Sequence, residues 1–211
     1  MAEIRKYVIT SVSFEFNRET RPDKTFAKCS RTDRLCSCVF GGTMGYRDLV
    51  LYIGYGEIGT SLKTNAARVK EYVDLSCTNP SSNYLAVSWC THFVHWTVEQ
   101  AGLRGKIAKA PLGNKSTSRM AEAFVKTSNP RPGDIYHMPY VNGKATHHFG
   151  IVSDVYGSEI ESLDGNSGDW RDPRTDWTTK YGGGIGGGMV CLNTRKKKEI
   201  AFYLELTEDD F

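Results

Sequence analysis

Three side chains in the stretch 88-SWCTHFVHWTVEQAG-102 could take part in chemistry: the thiol of Cys90 and the imidazoles of His92 and His95. Together they could bind a zinc ion, because thiolate and imidazole are common zinc ligands. Alternatively, Cys90 could be a nucleophile whose basic partner lies elsewhere in the chain, or a small apolar residue of the core. The element that carries these residues decides which groups can meet.

The stretch is predicted to be a helix, in which each residue advances by about 100° around the axis. One side then carries polar residues: Ser88, Thr91, His92, His95 and Glu99. The rest of the arc carries Trp89, Cys90, Phe93, Val94, Trp96, Val98 and Ala101. We therefore expect Cys90 to point into the protein and both histidines to face solvent or a polar surface, an arrangement that argues against a metal site on this helix.

Ser88 has the side chain of an N-cap residue, which would place Cys90 in the first turn of the helix. The unpaired N–H groups and the helix dipole stabilise a thiolate there and lower the pKa of a cysteine. A catalytic cysteine at this position needs a histidine from another element as its base.

The other elements follow in a simple order along the chain. A helix is predicted over 64–77, where apolar residues recur at helical spacing. Beyond the cysteine helix, strands are predicted at 133–138, 148–156, 159–165, 188–194 and 199–206. Helices followed by a strand meander predict an α+β fold, with helices packed on one face of an antiparallel sheet.

We divide the chain at residue 55. Residues 1–55 are predicted to be an N-terminal extension packed on the main domain, with an alternating strand at 7–16 and a second apolar run at 49–54. Residues 56–211 are predicted to be the main domain. The cysteines of the extension, Cys29, Cys36 and Cys38, lack the second ligand pair that zinc motifs usually have downstream, so free thiols are favoured over a metal site.

Composition narrows the function classes. The formal net charge of +3 and the scattered basic residues give no nucleic-acid footprint, and the short basic run 195-RKKK-198 is interpreted as a solvated turn. No apolar run approaches the roughly 20 residues of a transmembrane helix, so no integral membrane segment is expected. The first residues lack the apolar centre of a signal peptide, and we expect synthesis in the cytoplasm with export, if any, by a specialised route.

Four motifs in order resemble those of the CHAP and NlpC/P60 peptidases, which are papain-like amidases and endopeptidases of bacterial cell-wall peptides. They are the helix 89-WCTHFVHWTVEQAGL-103, then 132-PGDIY-136, 148-HFGIV-152 and 164-DGNSG-168, and 186-GGGMVCLNTR-195 is similar to the closing strand of that family. Each motif is weak alone, but their order over about residues 58–195 is fairly specific. The resemblance implies a papain-like fold and a cysteine hydrolase.

Carried over residue by residue, the resemblance implies that Cys90 is the nucleophile and His148 the general base. The strand pattern alone leaves His147 open as the base, because His147 and His148 lie on opposite faces of an extended strand. His148 shares its face with Gly150, and a glycine would let a helix approach closely. The resemblance favours His148, with His147 as a lesser candidate.

Asp164 and Asn166 are the candidates for the group that orients the base, as the third member of a triad does. They are two residues apart, so an extended backbone presents both on one side. The matching pair in the CHAP family is usually Glu and Asn, and Asp164 is one methylene shorter. The sequence leaves open which of the two contacts His148.

Tryptophans supply the candidates for substrate binding: Trp89 beside the nucleophile, and Trp170 and Trp177 in a long, charged and glycine-rich segment. The helical spacing of Trp89, Phe93 and Trp96 also fits a core position.

The mechanism implied by the resemblance is amide hydrolysis through a thioester, with no metal or cofactor. The expected substrate is a peptidoglycan peptide, and the absence of a signal pattern favours an effector toxin of a specialised secretion system, or a phage-type lysin, active in the target periplasm or cell wall. A toxin implies an immunity protein that covers the Cys90 cleft. The alternatives are a deamidase or acyl-transfer toxin that acts on a protein, and a non-catalytic interaction domain.

Overall fold

The computed structural model describes residues 45–78, 85, 87–103, 105–109, 115–141, 144–169, 171–177 and 186–210. The predicted strand at 7–16 and the three cysteines of the predicted extension lie outside these residues. Gly45–Phe211 is one compact unit. Within the described part of the chain, no helix is both long enough and apolar enough to cross a bilayer.

The described elements are four α-helices and six strands. The helices are α1 (Tyr46–Gly56), α2 (Leu62–Ser76), α3 (Cys90–Gln100) and α4 (Lys115–Ala123). The strands are β1 (Val125–Thr127), β2 (Ile135–Val141), β3 (Lys144–Tyr156), β4 (Glu159–Ser167), β5 (Met189–Lys196) and β6 (Phe202–Glu205). Short 3-10 turns cover Lys197–Glu199 and Glu208–Asp210.

The strands form one antiparallel sheet in the order β1-β6-β2-β3-β4-β5. The predicted α+β architecture is confirmed. Strands β2 and β3 are joined in register, with Ile135 opposite Ile151 and Met138 opposite His148. Strand β4 pairs with β3 on one side and with β5 on the other.

The sheet has an apolar cluster on each face, as period-two alternation requires. The helices and one face share the larger core, to which the sheet contributes Ile135, Phe149, Ile151, Leu163, Val190 and Leu204. The second cluster consists of Tyr136, Met138, Val152, Ile160 and Tyr203. Neighbouring residues of one strand therefore serve different clusters.

Helix α2 begins with a reciprocal cap. The Ser61 hydroxyl accepts hydrogen bonds from the backbone N–H groups of Lys63 and Thr64, at 3.2 and 3.1 Å. The Thr64 hydroxyl accepts one from the Ser61 N–H at 2.9 Å. These bonds satisfy N–H groups that a helix start otherwise leaves unpaired.

Helix α3 is buried on every side from Cys90 to Val98, so the expectation that His92 and His95 face solvent or a polar surface is wrong. Their exposed fractions are 2% and 5%, because α2 packs against the side of α3 that a single-helix pattern assigns to the surface. The Ser76 hydroxyl lies 2.5 Å from His92 Nδ1. Burial lowers the pKa of both histidines to about 4, so they are neutral at pH 7.

Helix α1 lies inside the compact unit that begins at Gly45. Val50 is completely buried. Gly54 lies against Leu163, so closely that an added Cβ would be 2.4 Å from Leu163 Cδ2. The apolar run at 49–54 is thus part of the same core as the sheet, while the role of the predicted extension over its remaining residues stays a prediction.

Candidate active site

Three elements bring Cys90, His148 and Asp164 together. Cys90 is the first residue of α3, His148 lies in β3 and Asp164 lies in the neighbouring β4. The predicted cap is one residue off: the N-cap is Trp89, which makes no side-chain capping bond, and not Ser88. Cys90 is nevertheless in the first turn, where unpaired N–H groups favour a thiolate.

Cys90 is almost completely buried, with 3% of its surface exposed. Burial opposes the charged thiolate, but the positive charge of His148 and hydrogen bonds from His148, Ser88 and the Phe149 backbone N–H lower the pKa of Cys90 to about 6. A pKa lowered in this way favours the thiolate at neutral pH.

His148 carries the matching positive charge. Burial opposes the imidazolium, but the charges of Asp164 and Cys90 and the contacts with both raise the pKa of His148 to about 9. Its Nε2 lies 3.4 Å from Asp164 Oδ1, a distance at which the charges attract although the atom makes no regular hydrogen bond to a described residue. Cys90 and His148 thus titrate as one coupled thiolate–imidazolium pair.

Asp164 is completely buried and surrounded by donors. Its Oδ1 accepts a hydrogen bond from the Tyr136 hydroxyl at 2.5 Å. Its Oδ2 accepts from Asn193 Nδ2 at 2.8 Å and from Arg195 Nε at 3.1 Å, and Arg195 adds a second bond through Nη2. Burial alone would raise the pKa of Asp164, but His148 and Arg195 hold it well below its usual range.

Arg195 corrects one sequence interpretation. Only 16% of its side chain is exposed and it is ion-paired with Asp164, so the first residue of the basic run 195–198 is not part of a solvated turn. Alternation along β5 places Cys191, Asn193 and Arg195 on one face, but only the pairing of β5 with β4, in which Cys191 lies opposite Asp164, brings that face to the carboxylate.

Two glycines allow the close packing of the site. An added Cβ at Gly150 would lie 2.2 Å from Asp164 Oδ1 and 2.5 Å from Tyr136 Cε1. An added Cβ at Gly165 would lie 2.6 Å from Phe93 Cβ on helix α3. The expected reason for Gly150 is therefore wrong: it admits a ring and a carboxylate, and Gly165 is the glycine that admits the helix.

His147, the lesser candidate for the base, is exposed and points to a different partner. Its Nδ1 lies 3.3 Å from His137 Nε2, and the two rings stack at 5.4 Å. Its backbone is left-handed, with φ 46°, a conformation that is uncommon for a residue other than glycine. The structure brings His148, and not His147, to Cys90 and Asp164.

Asn166 is also left-handed, with φ 53°. Its Nδ2 donates to Ser88 Oγ at 3.3 Å, and its Oδ1 accepts from the Gly188 N–H at 3.1 Å. Asp164 is the residue whose carboxylate lies against His148, which answers the question that the D-x-N spacing left open.

Trp89 does not fit the predicted substrate-binding role, because its side chain is completely buried. Its indole Nε1 donates to the Gly186 carbonyl at 3.0 Å. Trp177 is half-buried, and Trp170 lies outside the described residues. Among the described side chains, no group of three or more His, Cys, Asp or Glu residues is placed to hold a metal ion.

Residues 81–166 match the family model of the CHAP domain. This match confirms the resemblance to the CHAP and NlpC/P60 superfamily, and the observed helices and antiparallel sheet are consistent with the papain-like fold of that superfamily. The matched range contains Cys90, His148, Asp164 and Asn166, whereas Arg195 lies beyond it. No curated protein and no solved structure matches the chain significantly.

Proposed function

We propose, from the match of residues 81–166 to the CHAP family model, that the protein is a cysteine hydrolase that cleaves an amide bond in the peptide part of peptidoglycan. CHAP domains are generally amidases or peptidases of this kind. The observation that carries the proposal is the burial of Cys90, His148 and Asp164 in one site, with Asp164 Oδ1 3.4 Å from His148 Nε2.

The first half of the reaction forms a thioester. Because the proton of Cys90 already resides on His148, the thiolate sulfur attacks the amide carbonyl carbon directly, and the carbonyl π electrons move to oxygen. The backbone N–H of Cys90, at the helix start, has no carbonyl of its own helix to bond, and we expect it to donate to that oxyanion. As the intermediate collapses, the C–N bond breaks and the imidazolium gives its proton to the leaving amine.

The second half restores the enzyme. Neutral His148 takes a proton from water, the resulting hydroxide attacks the thioester carbon, and the thiolate leaves. Since Nε2 of His148 faces Asp164, Nδ1 is the nitrogen left to serve Cys90 and the substrate. Asp164 holds the ring in this orientation and stabilises its positive charge, as the acid of a triad does.

Digestion of purified peptidoglycan tests the proposal. Wild type should release fragments that mass spectrometry identifies, and Cys90→Ala should release none. His148→Asn should also be inactive, whereas His147→Asn, a matched change at the adjacent histidine, should retain activity because Asn tolerates the left-handed backbone there. The proposal would be contradicted if Cys90→Ala also digested peptidoglycan, or if wild type did not digest it.

We further propose that the protein is an effector toxin or a phage-type lysin that acts in the target periplasm or cell wall, and that a toxin is accompanied by an immunity protein over the Cys90 cleft. Expression of wild type with an added export signal in a Gram-negative host should cause lysis. Cytoplasmic expression of wild type and exported Cys90→Ala should be tolerated. Killing by the cytoplasmic form would instead favour a protein substrate inside the cell.

A further inference from the structure

Ser88 is an exposed residue at the edge of the site, two positions before the nucleophile. Its hydroxyl oxygen lies 3.6 Å from Cys90 Sγ, within the longer hydrogen-bond distance that sulfur permits. Because the N-cap of α3 is Trp89, the Ser88 hydroxyl is not needed to cap the helix. It is therefore available for another role.

Asn166 determines where the Ser88 hydroxyl hydrogen points. The Gly188 N–H donates to Asn166 Oδ1 at 3.1 Å, which fixes the oxygen end of the amide. The nitrogen end then donates to Ser88 Oγ at 3.3 Å. An amide nitrogen cannot accept a hydrogen bond, so the hydrogen of Ser88 is turned away from Asn166 and is free to be donated to Cys90.

We propose that Ser88 is a further catalytic residue, whose hydroxyl donates a hydrogen bond to the Cys90 sulfur, and that Asn166 is the positioning residue that directs this bond. The inference rests on the proposed cysteine chemistry. A hydrogen bond to the charged sulfur stabilises the thiolate relative to the thiol, and no proton is transferred. His148 and Ser88 then share the stabilisation of one buried charge.

The left-handed backbone of Asn166 is part of the same arrangement of Gly188, Asn166 and Ser88. Asn and Asp are among the few residues other than glycine that adopt this conformation readily. It lets one side chain reach both the Gly188 N–H and the Ser88 hydroxyl. Of Asn and Asp, only Asn can offer an oxygen to the Gly188 N–H and an N–H group to the Ser88 hydroxyl.

The test is the pH dependence of Cys90 alkylation by iodoacetamide, followed on the Cys90 peptide by mass spectrometry with Cys90→Ala as the blank. In Ser88→Ala the alkylation rate near pH 6 should fall about two- to sevenfold, the effect of losing one ordinary hydrogen bond that favours the thiolate, with the plateau rate at high pH unchanged. Ser88→Thr should keep most of the wild-type rate. Thr91→Val is the matched control: its hydroxyl contacts the same sulfur at 4.0 Å, the limit of such a bond, and we expect a clearly smaller shift than in Ser88→Ala.

Asn166→Asp tests the direction of the bond. The carboxylate still accepts from Gly188 but now attracts the Ser88 hydrogen, so the alkylation profile should move in the same direction as in Ser88→Ala. Part of that shift comes from the added negative charge alone, and the same change made in Ser88→Ala measures this part. We expect the shift to be clearly smaller in the Ser88→Ala background.

The inference is overturned if Ser88→Ala has the wild-type profile, if Thr91→Val shifts as much, or if Asn166→Asp causes equal shifts in both backgrounds. Alkylation does not depend on the substrate. If the profiles shift as expected while wild type leaves peptidoglycan intact, the role of Ser88 stands and the proposed substrate is wrong.

Discussion

At the scale of single residues, the site is a chain of alternating charges: the Cys90 thiolate, the His148 imidazolium, the Asp164 carboxylate and the Arg195 guanidinium. Burial disfavours each of these charges alone, and the opposite charge of a neighbour offsets that cost. Because the four charged groups are neighbours, removal of one charge shifts the pKa values of the groups beside it.

Hydrolysis should follow a bell-shaped pH profile with limbs near pH 6 and pH 9. As the pH falls below about 6, the thiolate is protonated and the nucleophile is lost. As the pH rises above about 9, His148 loses the proton that the leaving amine needs. The measurement is kcat/KM over pH 5 to 10. A single limb near the ordinary pKa of a thiol would show that the pair is not ionised at neutral pH.

Asp164→Asn should lower kcat/KM by up to about ten-thousandfold, the scale seen when the acid of a triad loses its charge. Without the carboxylate, the pKa of His148 should fall, so the alkaline limb should move to lower pH. The pH profile therefore separates this effect from general destabilisation. An unchanged alkaline limb in a folded variant would mean that Asp164 does not act through His148.

The sequence predicted Cys90 as nucleophile from its place in a first helical turn and His148 as base from the motif resemblance. The structure brings the two residues into one site, and their catalytic roles stay predictions. The sequence did not reveal Arg195 or the role of Ser88. Arg195 meets Asp164 only through the pairing of β4 with β5. The direction of the Ser88 hydroxyl depends on an amide from another strand, and neither relation is written in local spacing.

At the scale of elements, the contact between α3 and β4 sets the distance between the nucleophile Cys90 and the carboxylate of Asp164. Gly165 is next to Asp164 and lies against Phe93, so the helix rests directly on the strand backbone. Any side chain at this position would separate the two elements that carry Cys90 and Asp164.

Gly165→Ala should reduce the free energy of unfolding by about 1–3 kcal/mol, because the added Cβ overpacks a filled space. It should also lower kcat/KM, because the start of α3 is displaced from the sheet. Gly56→Ala is the matched control, since an added Cβ there has no atom within 4 Å. Urea unfolding and kinetics on both variants make the comparison, and equal behaviour of the two would contradict the assigned role of Gly165.

Secondary structure was the most predictable level. Period-two alternation located β2 to β6, and the helical periods located α2 and α3. The burial of His92 and His95 was missed because a helical pattern identifies one apolar face but cannot show that α2 covers the other. Helix α4 and the three-residue strand β1 were missed because both are short and β1 is exposed along two of its residues.

At the scale of the whole molecule, helix α1 packs on the rest of the compact unit through contacts that include Arg47 with Asp134 and Gly54 with Leu163. Arg47 Nε donates to Asp134 Oδ1 at 3.0 Å, and Asp134 is completely buried. Two backbone N–H groups, from Arg131 and Leu206, complete the surroundings of that carboxylate. Removal of α1 would leave a buried charge without its cation.

A protein of residues 45–211 should therefore unfold cooperatively and keep the alkylation profile of Cys90, whereas a protein of residues 57–211 should be destabilised by several kcal/mol. Loss of one partner of a buried ion pair alone costs about 3–5 kcal/mol, and the contacts of Val50 and Gly54 are lost as well. Circular dichroism with urea makes the measurement. Equal stability of the two proteins would place the boundary at the predicted residue 55 after all.

The buried indole of Trp89, one of four tryptophans in the chain, lies beside the site. It adjoins Cys90 in the chain, and its N–H is bonded to the carbonyl of Gly186. A ligand that moves Gly186 as it enters breaks that bond and changes the fluorescence of Trp89 before any covalent step. Displacement of Gly186 by a bound ligand would then appear as a change in emission in Cys90→Ala, where turnover is absent.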